Sequence, residues 1–157
     1  MWENTNRVLQ EYAIEVRNRY QDSLIRNDRI ATGDLLNNVD YHIKIGENHI
    51  EVSLKLQDYW KYVEWDTKPH FPPIDAMLKY IEAKPIYPQQ DDKGRLPTPQ
   101  QLAYLIGRKI SEEGTKGTHD LENTLRDVNA VYMDRIEEAV LEDVMGDLDI
   151  IISRIVL

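Results

Sequence analysis

The first part of the chain repeats apolar residues every three or four positions, with charged residues between them. The apolar set is Val8, Leu9, Tyr12, Val16, Tyr20 and Leu24. This spacing places one apolar stripe along a single side of a helix. It predicts an amphipathic opening helix that ends near Asn27 and Asp28, followed by a turn at Thr32-Gly33-Asp34.

The pattern then changes to alternation, which is typical of half-buried β-strands. The alternating apolar residues are Tyr41, Ile43 and Ile45 in the first stretch and Ile50, Val52, Leu54 and Leu56 in the second. A two-residue loop at Glu47-Asn48 keeps all of them on one face of a hairpin. The paired positions are then Ile45 with Ile50, Ile43 with Val52, Tyr41 with Leu54, Lys44 with Glu51, and Asp40 with Lys55.

Residues 58–83 hold two of the three tryptophans and the single phenylalanine, so we predict that this stretch is the packing centre. Residues 59–65 alternate with aromatic side chains on both sides, which predicts a third strand covered on both faces. Pro72-Pro73 then predicts the start of a short helix, and Pro85 prevents its continuation.

The remaining chain predicts a polar loop and two helices. Residues 86–96 form the loop, and Thr98, Pro99 and Gln101 supply an N-cap, a first-turn proline and a capping-box glutamine. Gly114 is expected to end this helix, and Thr118 to cap a last long one. Gly146 is expected to break or end the long helix. Residues 148–157 are rich in β-branched side chains, which suit a strand at least as well as a helix turn.

Together these elements predict an α+β fold in which an N-terminal helix and C-terminal helices pack on an antiparallel sheet. The length of 157 residues predicts one domain over residues 1–157, with its core in residues 7–145. Residues 148–157 are a candidate interaction tail. We predict that this tail and the loop 86–96 make contacts between molecules, because neither is explained within one compact domain.

Composition and net charge argue against several classes of function. The formal net charge of −9 argues against a general phosphate-binding surface, so we expect no specific nucleic-acid binding. No apolar run reaches the roughly 20 residues of a membrane span, and the N-terminus resembles neither a secretory signal nor a transit peptide. The absence of cysteine excludes disulfides and thiolate zinc sites, and it is compatible with folding in a reducing cytoplasm.

The sequence offers no candidate reaction centre, so we expect neither an enzyme nor a cofactor. The four histidines are His42, His49, His70 and His119, and none has a second ligand at metal-site spacing. Asp91-Asp92 with Gly94 lacks the alternating oxygen ligands of a calcium loop. The adjacent glutamates Glu112-Glu113 and Glu137-Glu138 point in different directions on a helix, which does not build an acid–base pair.

Several motifs in a fixed order resemble the tail-completion and head-tail joining proteins of tailed bacteriophages. They are Thr32-Gly33-Asp34-Leu35, Tyr62-Val63-Glu64 with Thr67, Phe71-Pro72-Pro73-Ile74-Asp75-Ala76, the run from Leu102 to Ile110, and Glu113-Gly114-Thr115-Lys116. The resemblance covers residues 30–143. It departs from the family pattern at Asp66, where a glycine commonly precedes the threonine, so the turn there is expected to differ.

The resemblance implies a structural virion protein made in the host cytoplasm, which forms a homo-oligomeric ring around the DNA channel of the neck or tail. Its other partners would be phage connector, portal-side or tail proteins. Candidate subunit-interface residues are Tyr59, Trp60, Trp65, Phe71, Tyr87 and Ile151. Glu112, Asp134 and Glu138 are candidates for an acidic face turned to the channel or the solvent. A soluble, non-enzymatic adaptor or binding protein is the alternative.

Overall fold

The computed structural model describes residues 2–30, 32–46, 49–84 and 86–155, and their side chains except those of 151, 152, 154 and 155. Its helices are α1 Glu3–Arg26, α2 Asp34–Asn37, α3 Trp60–Glu64, α4 Ile74–Ala83, α5 Pro99–Glu113 and α6 Asp120–Ile155. Its strands are β1 Asp40–Ile45 and β2 Ile50–Lys55. The predicted α+β fold is confirmed: the structure is mostly helical, and the long terminal helices pack together and on the hairpin.

The β1–β2 hairpin has the predicted register. Ile45 pairs with Ile50, Ile43 with Val52, and Tyr41 with Leu54. Asp40 and Lys55 stand opposite each other, as do Lys44 and Glu51. Alternating exposed and half-buried positions along β1 match the apolar and polar pattern of the sequence. The predicted loop residues Glu47 and Asn48 lie outside the described residues.

The chain divides into two compact units. Unit 1 contains the described residues of Met1–Ser23, Val39–Leu56 and Asp120–Leu157, and unit 2 contains those of Leu24–Asn38 and Gln57–His119. The predicted single domain over 1–157 stays a prediction.

Unit 1 has its core between α1 and α6. Buried apolar residues here are Val8, Leu9, Ala13, Val16, Tyr20, Val39, Leu121, Val128 and Ala139. The two helices run antiparallel, since Thr5 meets Asp143 at one end and Ser23 meets Asp120 at the other. Between these ends the Tyr12 hydroxyl donates a hydrogen bond to Asn129 at 2.8 Å. Burial raises the pKa of Tyr12 above its ordinary value.

In unit 2, α4 and α5 pack together. Helix α5 begins with the predicted capping box: Thr98 Oγ1 accepts from the Gln101 backbone N–H at 3.2 Å, and Gln101 Oε1 accepts from the Thr98 N–H at 2.9 Å. The helix ends at Gly114 as predicted. Helix α4 follows Pro73, and Pro85, which was expected to stop it, lies outside the described residues.

The predicted third strand is wrong, because α3 occupies Trp60–Glu64. Trp60, Val63 and Glu64 are its less exposed residues, and their spacing of three and four positions is helical. The predicted packing centre in residues 58–83 is also wrong. The exposed fraction of Trp65 is 44%, and Phe71 is exposed as well, whereas the fully buried large side chains include Tyr20 and Leu24 of α1.

Helix α6 is longer than predicted. It continues through Gly146 to Ile155, so neither the expected break nor a strand in the tail exists within the described residues. The helix begins at Asp120, with His119 rather than Thr118 directly before it. One glycine costs a helix only about 1 kcal/mol relative to alanine, and Leu141, Val144, Met145 and Leu148 keep helical spacing across it.

Candidate functional site

Two of the segments that carry the family resemblance are joined in unit 2. The Thr67 backbone N–H donates to the Thr115 carbonyl oxygen at 2.9 Å, and the Thr115 N–H donates to Thr67 Oγ1 at 3.0 Å. Their hydroxyl oxygens lie 2.7 Å apart. Nothing in the sequence showed this pairing, because the two residues are separated by 48 positions.

Gly114 and Gly117 allow the close approach of these segments. Gly114 has φ 74°, and a β-carbon on it would lie less than 3.0 Å from the Thr67 carbonyl oxygen. A β-carbon on Gly117 would collide in the same way with the Glu64 carbonyl oxygen. Asp66 Oδ1 accepts from the Gly117 N–H at 2.8 Å. Asp66 itself is not among the described residues with positive φ, so its turn needs no glycine.

The aromatic candidates for a subunit interface lie at or near the surface. Tyr59, Trp65, Phe71 and Tyr87 are exposed, and Trp60 is half-buried. Trp65 makes an edge contact with His119 at 5.2 Å between ring centroids, and Phe71 lies 5.8 Å from Tyr104. The side chain of Ile151 lies outside the described residues. Their role in an interface stays a prediction.

The ring of Phe71 packs against α5 at Gly107. A β-carbon added to this glycine would lie 2.9 Å from Phe71 Cζ, so the ring covers the helix backbone at that point. Phe71 and Gly107 belong to two different motifs of the resemblance, and the fold of unit 2 brings them together.

The acidic candidates are exposed. Glu112 lies on α5 and forms an ion pair with Arg108 at 2.9 Å, while Asp134 and Glu138 lie one turn apart on α6. An exposed pair of this kind is screened by water and contributes little to stability. Whether these residues face a channel stays a prediction.

Asp143, another acidic residue of α6, has a structural role. Its Oδ1 accepts from the Asn4 backbone N–H at 3.1 Å, and its Oδ2 accepts from the Thr5 N–H at 2.9 Å and the Thr5 hydroxyl at 2.7 Å. The carboxylate of α6 therefore caps the N-terminus of α1. Desolvation would raise the pKa of Asp143, but these hydrogen bonds outweigh it and leave the pKa lowered.

The opposite side of α6 carries an uncovered apolar stripe, defined by Leu141, Val144, Met145 and Leu148. All four are exposed, with exposed fractions of 63% for Leu141 and 57% for Met145. At roughly 100° per residue, this stripe lies half a turn away from Ala139 and Asp143, which face α1. Because Asp143 meets the first turn of α1, about three turns of α6 continue beyond that contact.

Among the other polar groups, His70 and Asp91 hold local structure. His42 and His49 are exposed, and His70 Nδ1 lies 2.8 Å from the Lys68 carbonyl oxygen. The Asp91 carboxylate accepts from the Lys93 N–H and from the backbone and side chain of Arg95. The backbone hydrogen bond from Arg95 is the main reason that the pKa of Asp91 is lowered. Glu64 is a buried carboxylate, which the strand interpretation missed.

Comparisons of the chain with models of known protein families, with curated proteins and with solved structures found no match. Within the part of the chain that the structure describes, no helix has both the length and the apolarity needed to cross a membrane.

Proposed function

We propose that this protein is a non-enzymatic structural component of a tailed-bacteriophage virion, acting in the neck or tail as a head-tail connector or tail-completion protein. The ordered motifs of the sequence support this proposal. It is also supported by the packing of unit 2, where Thr67 pairs with Thr115 and Phe71 covers Gly107, because these residues belong to motifs that are far apart in the chain.

The apolar stripe on α6 is the observation that carries the proposal. Burying apolar surface contributes about 25 cal/mol per Å², so a row of leucine, valine and methionine side chains in water favours association. A stripe along the outer side of a helix is typical of a surface that another helix or groove covers. In a ring protein, this surface would be covered by a neighbouring copy.

The proposed partners are other copies of the chain and the phage connector, portal-side or tail proteins above and below the ring. The protein would be made in the host cytoplasm and reside in the virion. The exposed aromatic residues Trp65 and Tyr87 supply further contact surface, since aromatic side chains are enriched at interfaces.

Mass spectrometry of purified virions, combined with a reconstruction of the neck and tail, tests the proposal. We expect several copies of the chain per particle, arranged in a ring at the neck or tail. Presence in infected cells but absence from particles would contradict it and would favour the adaptor alternative. Neither result depends on whether the purified protein assembles alone.

A further inference from the structure

Unit 2 contains a groove whose chemistry differs from the rest of this acidic protein. The groove has a volume of about 500 Å³ and lies at the C-terminal end of α5. Its apolar residues are Leu105, Ile106 and Ile110, and its charged residues are the cations Arg29, Lys109 and Lys116. We call it the basic groove. It concentrates positive charge in a chain with a net charge of −9.

The walls of the basic groove are fixed by backbone interactions. Arg29 is held by a hydrogen bond from its backbone N–H to the Leu24 carbonyl oxygen at 2.9 Å, and its guanidinium donates to the Lys116 carbonyl oxygen at 3.4 Å. Lys116 follows Thr115, whose pairing with Thr67 holds that segment in place. The groove is therefore formed before any partner binds, which reduces the entropy lost on association.

The apolar stripe on α6 has the complementary chemistry. Its apolar residues match the apolar part of the basic groove, and Glu142 and Asp149 are exposed on α6 along one edge of the stripe, at the same roughly 100° per residue. Acidic groups beside an apolar stripe complement cations beside an apolar groove, and such complementarity favours the correct partner and orientation.

We propose that the basic groove of one copy receives the apolar stripe of α6 from the next copy. This assignment rests on the proposed ring, and it specifies the surfaces that build it. The two surfaces are different, so the contact is heterologous and each added copy leaves one groove and one stripe free. Repetition of such a contact produces a closed ring when the rotation between copies closes, and a filament when it does not.

Two sets of variants of the full chain test the contact by sedimentation velocity. Lys109→Glu with Lys116→Glu reverses the groove charge, and Leu148→Ser disrupts the stripe. Matched controls are Lys79→Glu with Lys93→Glu, which make the same charge change outside the groove, and Val131→Ser, which replaces an exposed valine of α6 outside the stripe. We expect each test variant to weaken self-association by about tenfold or more, while the controls assemble like the unchanged chain.

Mixing the groove variant with the stripe variant provides a sharper outcome. The mixture still contains one intact groove and one intact stripe per pair, so it should form dimers and nothing larger. Assembly of either variant alone to the size of the unchanged protein would overturn the proposal, as would larger assemblies in the mixture. Circular dichroism confirms that each variant is folded, which is expected because the replaced side chains are exposed.

Disulfide trapping covers the case in which the isolated chain associates too weakly to sediment as an oligomer. The sequence has no cysteine, so Lys109→Cys and Met145→Cys each introduce a single thiol. Under mild oxidation, the mixture should form the disulfide between the two variants at least about tenfold faster than either variant forms a homodimer, because only in the mixed pair does the contact place two thiols next to each other. Equal rates would overturn the proposal and leave the groove to a different acidic partner.

The two proposals fail separately. A ring in the virion built through other surfaces would remove this inference and keep the proposed function. If the chain formed groove-to-stripe dimers but were absent from virions, the contact between copies would stand and the proposed function would be contradicted.

Discussion

At the scale of single residues, the charged carboxylate of Asp143 stabilises the fold by capping the N-terminus of α1. The first N–H groups of a helix have no partner within the helix, and in α1 two of them donate to this carboxylate from α6. Replacement by asparagine keeps the shape but removes the negative charge. We expect Asp143→Asn to lower the free energy of unfolding by about 0.5–1.5 kcal/mol, because the amide nitrogen of asparagine cannot accept one of these hydrogen bonds. Thermal or urea unfolding measures this, and Asp134→Asn, on the exposed side of α6, serves as the control.

The pH dependence of this difference has a definite sign. The folded state lowers the pKa of Asp143 below its ordinary value of 3.8, so the stabilisation is present above that value. It is lost as the pH falls through the lowered pKa of the folded state. The difference in melting temperature between the unchanged protein and Asp143→Asn should therefore shrink below pH 3.8. A difference that grew on acidification would contradict the capping role.

A side chain at a glycine of positive φ can cost stability through backbone strain and through a steric clash. Gly94 would show the first cost alone, and Gly114 would show both. Both have φ 74°, but a β-carbon would collide with the Thr67 carbonyl oxygen at Gly114 and would meet nothing within 4 Å at Gly94. We expect Gly94→Ala to cost about 1 kcal/mol from the left-handed backbone alone. Gly114→Ala should cost about 2–4 kcal/mol, because its ψ of −162° lies in a region that essentially only glycine adopts and the clash adds overpacking strain. Equal losses in chemical unfolding would show that the Thr67 segment yields freely.

At the scale of elements, the sequence predicted those whose signal is local and repeated. Helix α1, the hairpin register and the capping box of α5 follow from spacing alone, because one-sided burial or a single cap specifies each of them. Helix α3 was missed because aromatic residues favour strands only where a neighbouring strand exists to pack against. The helical spacing of Trp60 and Val63 was the signal that distinguished the alternatives.

The candidate site was predicted less completely than the fold. Trp65 and Phe71 were named as interface candidates, but their exposure was not predicted, because the same stretch was interpreted as the packing centre. The basic groove was missed because it joins Arg29 to residues 105–116, and no spacing rule connects positions so far apart. The apolar stripe was missed because Gly146 was interpreted as a helix end, although Leu141, Met145 and Leu148 repeat every three or four residues across it.

The end of α6 gives a prediction about folding and assembly. Deletion of residues 148–157 removes Leu148 and the last two turns of α6, but none of the residues that the structure describes as buried in unit 1. The free energy of unfolding of the truncated chain should therefore lie within about 0.5 kcal/mol of that of the full chain, since the described side chains Leu148, Asp149 and Ile150 are exposed and exposed side chains contribute little to folding. Its self-association should be lost. An unfolded monomer by circular dichroism would instead place these residues in the core.

At the scale of the whole molecule, charge is the property that links the fold to the proposed ring. The chain carries 28 acidic and 19 basic residues, and three of the basic ones line the groove that we assign to the contact between copies. Cations covered in such a contact are not free to bind phosphate. The exposed Asp134 and Glu138 remain on α6, where they contribute to an acidic surface.

The excess of acidic over basic residues predicts that the assembled protein does not bind duplex DNA tightly. Lysine and arginine residues that neutralise phosphates release counterions and hold DNA strongly at low salt, so a basic channel wall would retain the duplex that must pass through. An acidic wall avoids this.

We expect the purified protein, whether single or assembled, to leave duplex DNA unretarded in a gel even at low salt. Asp134→Lys with Glu138→Lys should produce salt-sensitive retardation in the assembled state if these residues line the channel, and Glu82→Lys with Asp92→Lys, at exposed positions outside α6, is the control for charge alone. A tight, salt-sensitive complex of the unchanged protein would contradict this account of the charge and leave the ring proposal intact, whereas a single copy per particle would contradict the ring itself.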